Sequence, residues 1–238
     1  MSGMARARRL VGVPTVVLVA LLGIASPAAA SGPSQTVPQA PSSSSSKHKE
    51  KAATGADSPS SDESVSNGVY RNVALGFSCK IPPGWVLRTD DLNTTDNADP
   101  AETTKDTKPA SGHVLLAAFS RPPEARGEDV NSSILIAAES VSAYPGLKEA
   151  VQYFGPLTEV AKAQGFTVDQ EPYEIALGTK TLVRGDFHKD VGTRVMRQAT
   201  LVMLARGYAV SFTFIGGTGD EVEELIAGLS FGGTASHN

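Results

Sequence analysis

The chain has 238 residues, with 21 Lys+Arg against 25 Asp+Glu, 40% hydrophobic residues and a single cysteine. A formal charge of −4 with no basic stripe and no interleaved aromatics argues against nucleic acid or an anionic membrane surface as partner, since such a field repels phosphate. One cysteine excludes an intramolecular disulfide.

Residues 1–30 read as a secretory signal. Arg6, Arg8 and Arg9 form a basic start, residues 11–25 are almost wholly apolar, and Ala28-Ala29-Ala30 supplies small residues for cleavage after Ala30. The apolar run falls short of the roughly 20 residues a spanning helix needs, and Pro14 interrupts it. No cysteine follows it, so no lipid is expected at a processed N-terminus. Cleavage removes three Arg and no acid, leaving 18 basic against 25 acidic side chains. The expected product is soluble outside the cytoplasm, secreted or held in the cell envelope.

Residues 31–66 read as a disordered linker. They hold the run Ser42–Ser46, several prolines, the charged patch Lys47-His48-Lys49-Glu50-Lys51, and only Val37 and Val65 as branched aliphatics. Such a composition cannot bury enough apolar surface to offset its conformational entropy. Residues 67–232 are enough chain for one domain with its own core, and 233–238 read as a tail.

Within the domain, strands are expected at 69–72 and 77–81, with a turn at Leu75-Gly76 and a stop at Pro82-Pro83-Gly84 that presents Trp85 to the body of the fold. Phe77, Cys79 and Ile81 alternate with Ser78 and Lys80, which places the Cys79 thiol in the core. Residues 89–112 are polar, acidic and aperiodic, and read as a long mobile loop. Residues 113–119 and 133–141 are apolar on both pleat faces, as in strands covered on two sides. Residues 147–164 carry apolar side chains at helical spacing, and Gly155-Pro156 should kink or split that helix. Strands follow at 166–173, 174–177, 181–187, 194–204 and 208–215, separated mostly by Gly-containing turns. Thr218-Gly219-Asp220-Glu221 is a capping box, opening a helix whose buried stripe is Val222, Leu225, Ile226 and Leu229. Antiparallel strands with helices in the middle and at the end give an α+β fold.

Two stretches carry a family resemblance. Tyr70, Asn72, Leu75-Gly76-Phe77, Ile81-Pro82 and Gly84-Trp85 are similar to the opening of PsbP-like domains, the group of the extrinsic P subunit of photosystem II. Gly207-Tyr208-Ala209-Val210-Ser211-Phe212, an acidic helix and Leu229-Ser230-Phe231 resemble the end of that group and of the Ran-binding import factor Mog. The resemblance implies an antiparallel sheet sandwiched by helices, an α/β/α arrangement, and action by binding other proteins. It assigns no functional residue, because the shared positions are turn and core residues.

Chemistry-bearing candidates are sparse. Asp91, Asn93, Thr95, Asp99 and Glu102 fall at the oxygen-ligand offsets of a twelve-residue calcium loop. Against that, Asp96 stands where the turn needs Gly, Pro100 intrudes, and no helices are expected to flank it; a solvated acidic loop is the expectation. Gly216-Gly217-Thr218-Gly219 lacks the Lys of a P-loop and is followed by acids that would repel phosphate, so it reads as a helix cap. Arg184-Gly185-Asp186 spells an adhesion tripeptide but falls in a strand. His188 beside Asp186 and Asp190 could form a weak base or ligand site, although a surface hairpin end is the plainer reading. No Gly-x-Ser-x-Gly elbow or Ser-x-x-Lys occurs.

The expectation is a non-catalytic binding module with no cofactor, directed at an envelope protein or small ligand. The alternatives are an exported enzyme whose site is assembled from distant residues, His113, His188 and Asp186 among them, and a calcium-responsive envelope protein.

Overall fold

Asn67 and Gly68 both sit at positive φ, 51° and 69°, the two central positions of a type I′ hairpin turn. That turn joins β1 (Glu63–Ser66) to β2 (Val69–Asn72), with Ser66 opposite Val69 and Glu63 opposite Asn72. This computed structural model describes residue 59 and residues 63–95, 112–125, 127 and 130–232. The expected linker therefore loses its last four residues to a strand. Its side chains are all exposed, so no apolar pattern marks it; the Asn-Gly pair is the signal.

The remaining elements are β3 (Phe77–Lys80), β4 (Val86–Leu87), α1 (Thr89–Thr95), β5 (Gly112–Phe119), β6 (Ser133–Ser140), α2 (Phe154–Ala163), β7 (Thr167–Val168), β8 (Tyr173–Leu177), β9 (Lys180–Val191), β10 (Arg194–Ala205), β11 (Tyr208–Gly216), α3 (Gly219–Ala227) and β12 (Leu229–Phe231). The strands form two sheets. A small one runs β1-β2-β3-β12, and a large one runs β4-β5-β6-β11-β10-β9-β7, with β8 also paired to β9. Every pair is antiparallel, and the architecture is α+β.

One face of the large sheet carries Leu116, Ile134, Ile136, Leu201, Val210, Phe212 and Phe214. It packs against the small sheet through Tyr70, Phe77, Cys79 and Phe231, and against α3 through Val222, Leu225 and Ile226. Phe212 meets Phe77 edge-on at 4.9 Å between ring centres, and Phe231 at 5.8 Å, geometries that the aromatic quadrupole favours. The other face packs Val183, Phe187, Val202 and Ala209 on α2, and Val114, Ala117, Phe119 and Leu135 beside Leu92 of α1. Helices thus lie on both faces of the large sheet, as expected for the α+β sandwich, α2 on one and α3 on the other, where the small sheet joins it.

The motif residues of the opening stretch are structural. Asn72 is fully buried; its Oδ1 accepts from the Leu75 amide at 2.8 Å and its Nδ2 donates to the Pro59 carbonyl at 2.7 Å. This satisfies a turn that would otherwise leave backbone groups unpaired. Tyr70 donates to Glu63 Oε2 at 2.9 Å. Trp85 packs half-buried against the same core.

Two further expectations are corrected. The supposed loop at 89–112 begins with α1 and ends in β5, and residues 96–111 lie outside those described. Helix α1 has one apolar residue, so periodicity could not reveal it. It is held by the edge of β5: Thr89 Oγ1 accepts from the Ala117 amide, and the Asn93 side chain bonds both backbone groups of Val114. A short helix thereby occupies an edge strand's free groups. The helix expected at 147–164 starts only at Phe154, preceded by a 3-10 turn at Ala150–Tyr153. Pro156 sits in the first turn of α2, where a missing N–H removes no intrahelical bond.

Gly185 of β9 shows how tightly α2 is seated. A Cβ there would lie 2.5 Å from Cε1 of Phe154, so only the absence of a side chain lets the ring reach the strand. Gly185→Ala should lower unfolding stability by about 1–3 kcal/mol in urea titrations, whereas the same change at open Gly155 should not.

Cys79 is wholly buried, and burial pushes its thiol up to about 12 from an ordinary 9.0. The fold favours the neutral thiol, so this contribution is full below pH 9 and is lost as pH rises from there through about 12. Stability measured between pH 8 and 11 should fall, and Cys79→Ala should flatten the slope in part. Burial of Tyr70, Tyr144, Tyr153 and Tyr173, which raises their phenols too, adds to the slope. A thiol reagent should leave the native protein unlabelled.

Candidate functional site

The hairpin between β9 and β10 turns at Gly192 and Thr193, with Gly192 at φ 61°. Its register sets Arg197 opposite His188, Ala199 opposite Asp186 and Leu201 opposite Arg184. Cross-strand partners share a face, here the face that meets α3, since Leu201 belongs to that core. On the far side of β9, β7 pairs with His188 and Phe187 while β8 pairs with residues 180–184. Residues 169–172 run between these two short strands and leave β9 partly uncovered. The result is an open cleft of about 320 Å³, lined by Arg184, Asp186, Arg197, Asp169, Gln170 and Glu223 among others.

Arg184 organises the cleft. Its Nε donates to Asp186 Oδ1 at 2.9 Å and its Nη2 to Glu223 Oε1 at 2.5 Å. The other oxygen of Asp186 accepts from the Tyr173 hydroxyl at 2.9 Å and from Gln170 at 3.4 Å. Burial works against the Arg184 charge, but Glu223 and Asp186 outweigh it and raise its pKa. Burial and the Asp186 bond likewise raise the Tyr173 phenol. The side chains of Arg184 and Asp186 are only 13% and 16% exposed. The adhesion tripeptide is therefore a pinned piece of strand, as expected.

His188 is held by Asp169, whose carboxylate bonds Nδ1, and not by Asp186 or Asp190 as its sequence neighbours suggest. Asp169 reaches it because its amide continues the ladder onto the Asp186 carbonyl at 2.9 Å. A carboxylate only accepts, so Nδ1 carries the hydrogen. His113 is elsewhere, on β5 opposite Ala138. Four strand spacings separate β5 from β9, about 19 Å at roughly 4.8 Å each. The three candidates of the enzyme alternative are thus split: Asp186 and His188 share the cleft wall and His113 does not. Asp169, Gln170, Tyr173, Arg197 and Glu223 escaped sequence reasoning. Arg197 alone had a local signal, because the two-residue turn dictates its place opposite His188.

Of the calcium candidates, Asp91, Asn93 and Thr95 lie on α1, where Asp91 and Asn93, two residues apart, point about 200° apart; Asp99 and Glu102 lie outside the described residues. Asn93 spends its amide on Val114, and Asp91 pairs with Arg88 at 3.3 Å. Among the described residues, no group of three or more His, Cys, Asp or Glu is placed to hold a metal.

At the start of α3, Thr218 Oγ1 accepts from the Glu221 amide at 3.1 Å, the expected cap. The Glu221 carboxylate takes the Gly217 amide at 2.8 Å and the Ser132 hydroxyl at 2.5 Å. The protein's own carboxylate fills the spot a phosphate would need.

A second cleft of about 410 Å³ lies on the α2 side, among Glu149, Val151, Tyr173, Glu174, Leu182 and Val183. Near it in the chain, Glu139 is 1% exposed and accepts from Tyr144, whose ring meets Tyr153 edge-on at 5.2 Å. Burial first, and Glu139 second, raise both phenols.

No family model matches the chain, and no curated protein matches it by sequence. Several solved structures share a partial likeness. The cyanobacterial PsbP (CyanoP) of Synechocystis sp. PCC 6803 is 15% identical over 69% of this chain and 91% of its own, at a TM-score of 0.42. LpqN, involved in cell envelope biogenesis of Mycobacterium tuberculosis, is 12% identical over 66% and 83%, at 0.36. PA94 of Pseudomonas aeruginosa, of unknown function, is 15% identical over 51% and 78%, at 0.32. A PsbP is thus among the similar structures. The α+β class rests on the strand pairing itself.

Arg184→Met should destabilise by about 1–3 kcal/mol, because it strands the Asp186 carboxylate at the cleft wall. Glu223→Gln, at the half-exposed end of the same network, should cost under about 1 kcal/mol. Urea unfolding of both variants checks this.

Proposed function

We propose that the chain is a non-catalytic binding module that acts outside the cytoplasm, in the cell envelope or secreted, and that the cleft between α3 and residues 169–172 is its recognition surface. The observation that carries this is the Arg184 network. Asp186, Glu223, Tyr173 and Gln170 are fixed on one another in the free protein, and a surface ordered in advance loses little entropy on binding. The signal-like residues 1–30 motivate the extracytoplasmic location. Among the described residues, no helix is long and apolar enough to cross a membrane. The partner belongs to the same compartment, as a protein or a small ligand.

A photocrosslinking residue at exposed Gln170, tested in cells against one at exposed Arg71 on the small sheet, examines this surface directly. A discrete envelope partner captured from Gln170 alone is the expected result. Capture from Arg71 alone overturns the choice of surface. Turnover of a substrate that His188→Gln and Asp169→Asn both abolish would replace the binding module with an exported enzyme built on the His188–Asp169 pair.

A further inference from the structure

We propose that Arg197 anchors a carboxylate group of whatever ligand enters this cleft, an inference that rests on the cleft being the recognition surface. The charges around the cleft are almost all spoken for. Arg184 is shared by Asp186 and Glu223, and Asp169 is taken by His188. Arg197 lines the same cleft, is exposed, and its side chain has no hydrogen-bond or ion-pair partner among the described residues. Arg184 spends its Nε and Nη2 on Asp186 and Glu223, whereas Arg197 commits none of its donors among the described residues.

Its position is not that of a side chain trailing into solvent. Arg197 lies opposite His188 in the β9–β10 ladder. Its Cδ comes within 3.9 Å of where a Cβ on Gly219 would sit, so its stem runs against the first residue of α3. The guanidinium is thus delivered at the corner where strand and helix meet.

The class of ligand follows from the surroundings. A planar guanidinium offers parallel N–H donors that match the two oxygens of a carboxylate or two of a phosphate. Asp169, Asp186 and Glu223 line the same cleft, and their field penalises a dianion far more than a monoanion. A single carboxylate, supplied by a small organic acid or by the free C-terminus of a peptide, is the group that satisfies Arg197 at least repulsion.

The test is titration of the ¹⁵N-labelled exported protein with propionate, with tetra-alanine bearing a free or an amidated C-terminus, and with inorganic phosphate. The readouts are the Arg197 Nε–H signal and the Gln170 and Gly219 amides. The expected result is saturable shifts with a free-acid probe, at a Kd of about 1 mM, weakened about fivefold or more by Arg197→Gln. Amide signals away from the cleft report whether that variant keeps the fold, and Arg197→Lys should recover part of the affinity. Saturation by propionate supports a small acid as sufficient; saturation by the free-acid peptide alone supports a chain end. The proposal is overturned if no probe saturates, if the amidated peptide or phosphate binds as tightly as the free acids, or if Arg197→Gln binds unchanged. A partner still captured through Gln170 after such a result would leave the recognition surface standing and remove only its carboxylate chemistry.

Discussion

The register of the β9–β10 ladder governs the rest of the molecule. Pairing from Arg194 opposite Val191 to Val202 opposite Val183 sends Val183, Gly185 and Phe187 toward α2, and Leu182, Arg184, Asp186 and His188 toward α3. A slip of one residue would exchange those sets. It would drive Arg184 and Asp186 into the apolar layer under α2 and push a β-carbon into the place of the Phe154 ring. The penalty for unpaired buried charge together with a steric clash exceeds any local preference. Packing on one face and polarity on the other therefore select the same alignment. The Gly192-Thr193 turn selects it again, since two residues leave no slack.

Much of this was legible from the residues because the elements of the domain's second half are long and sharply punctuated. Residues 194–204 and 208–215 were readable almost to their ends. The signals at Arg206-Gly207, both at positive φ, and Thr218 mark real turns and caps. Helix α1 was illegible for a physical reason: its residues form a helix to satisfy the edge of β5, a demand set by the neighbouring strand and not by their own pattern. Strand β1 is the converse case. Its side chains carry no burial signal, and only Asn67-Gly68 betrays it. The stretch 166–173 read as one strand, yet Thr167–Val168 and Tyr173 pair with separate parts of β9, and residues 169–172 between them belong to no strand.

The candidate site was less visible for a related reason. Its residues come from a loop, three strands and a helix, and their chemistry arises from pairing across those elements. His188 stands beside Asp186 and Asp190 in sequence, yet its partner is Asp169, nineteen residues away. The same holds for Glu139, an unremarked strand residue by sequence, whose burial is eased by the hydrogen bond that Tyr144 supplies. Local pattern reveals which residues face inward, while polar complementarity inside a fold depends on who arrives opposite.

The attachment of β1 has a mechanical consequence. The chain enters the small sheet at Glu63, the open end of a hairpin whose closed end is Asn67-Gly68. A pull transmitted through the preceding residues loads Glu63 opposite Asn72 first, so the ladder unzips pair by pair and does not shear as a block. At that end sit the Tyr70 bond to Glu63 and the Asn72 bond to the Pro59 carbonyl. Two buried side chains of β2 thus form the clasp that holds Pro59 and Glu63 to the body. Tension would peel away a four-residue flap before it reached the core.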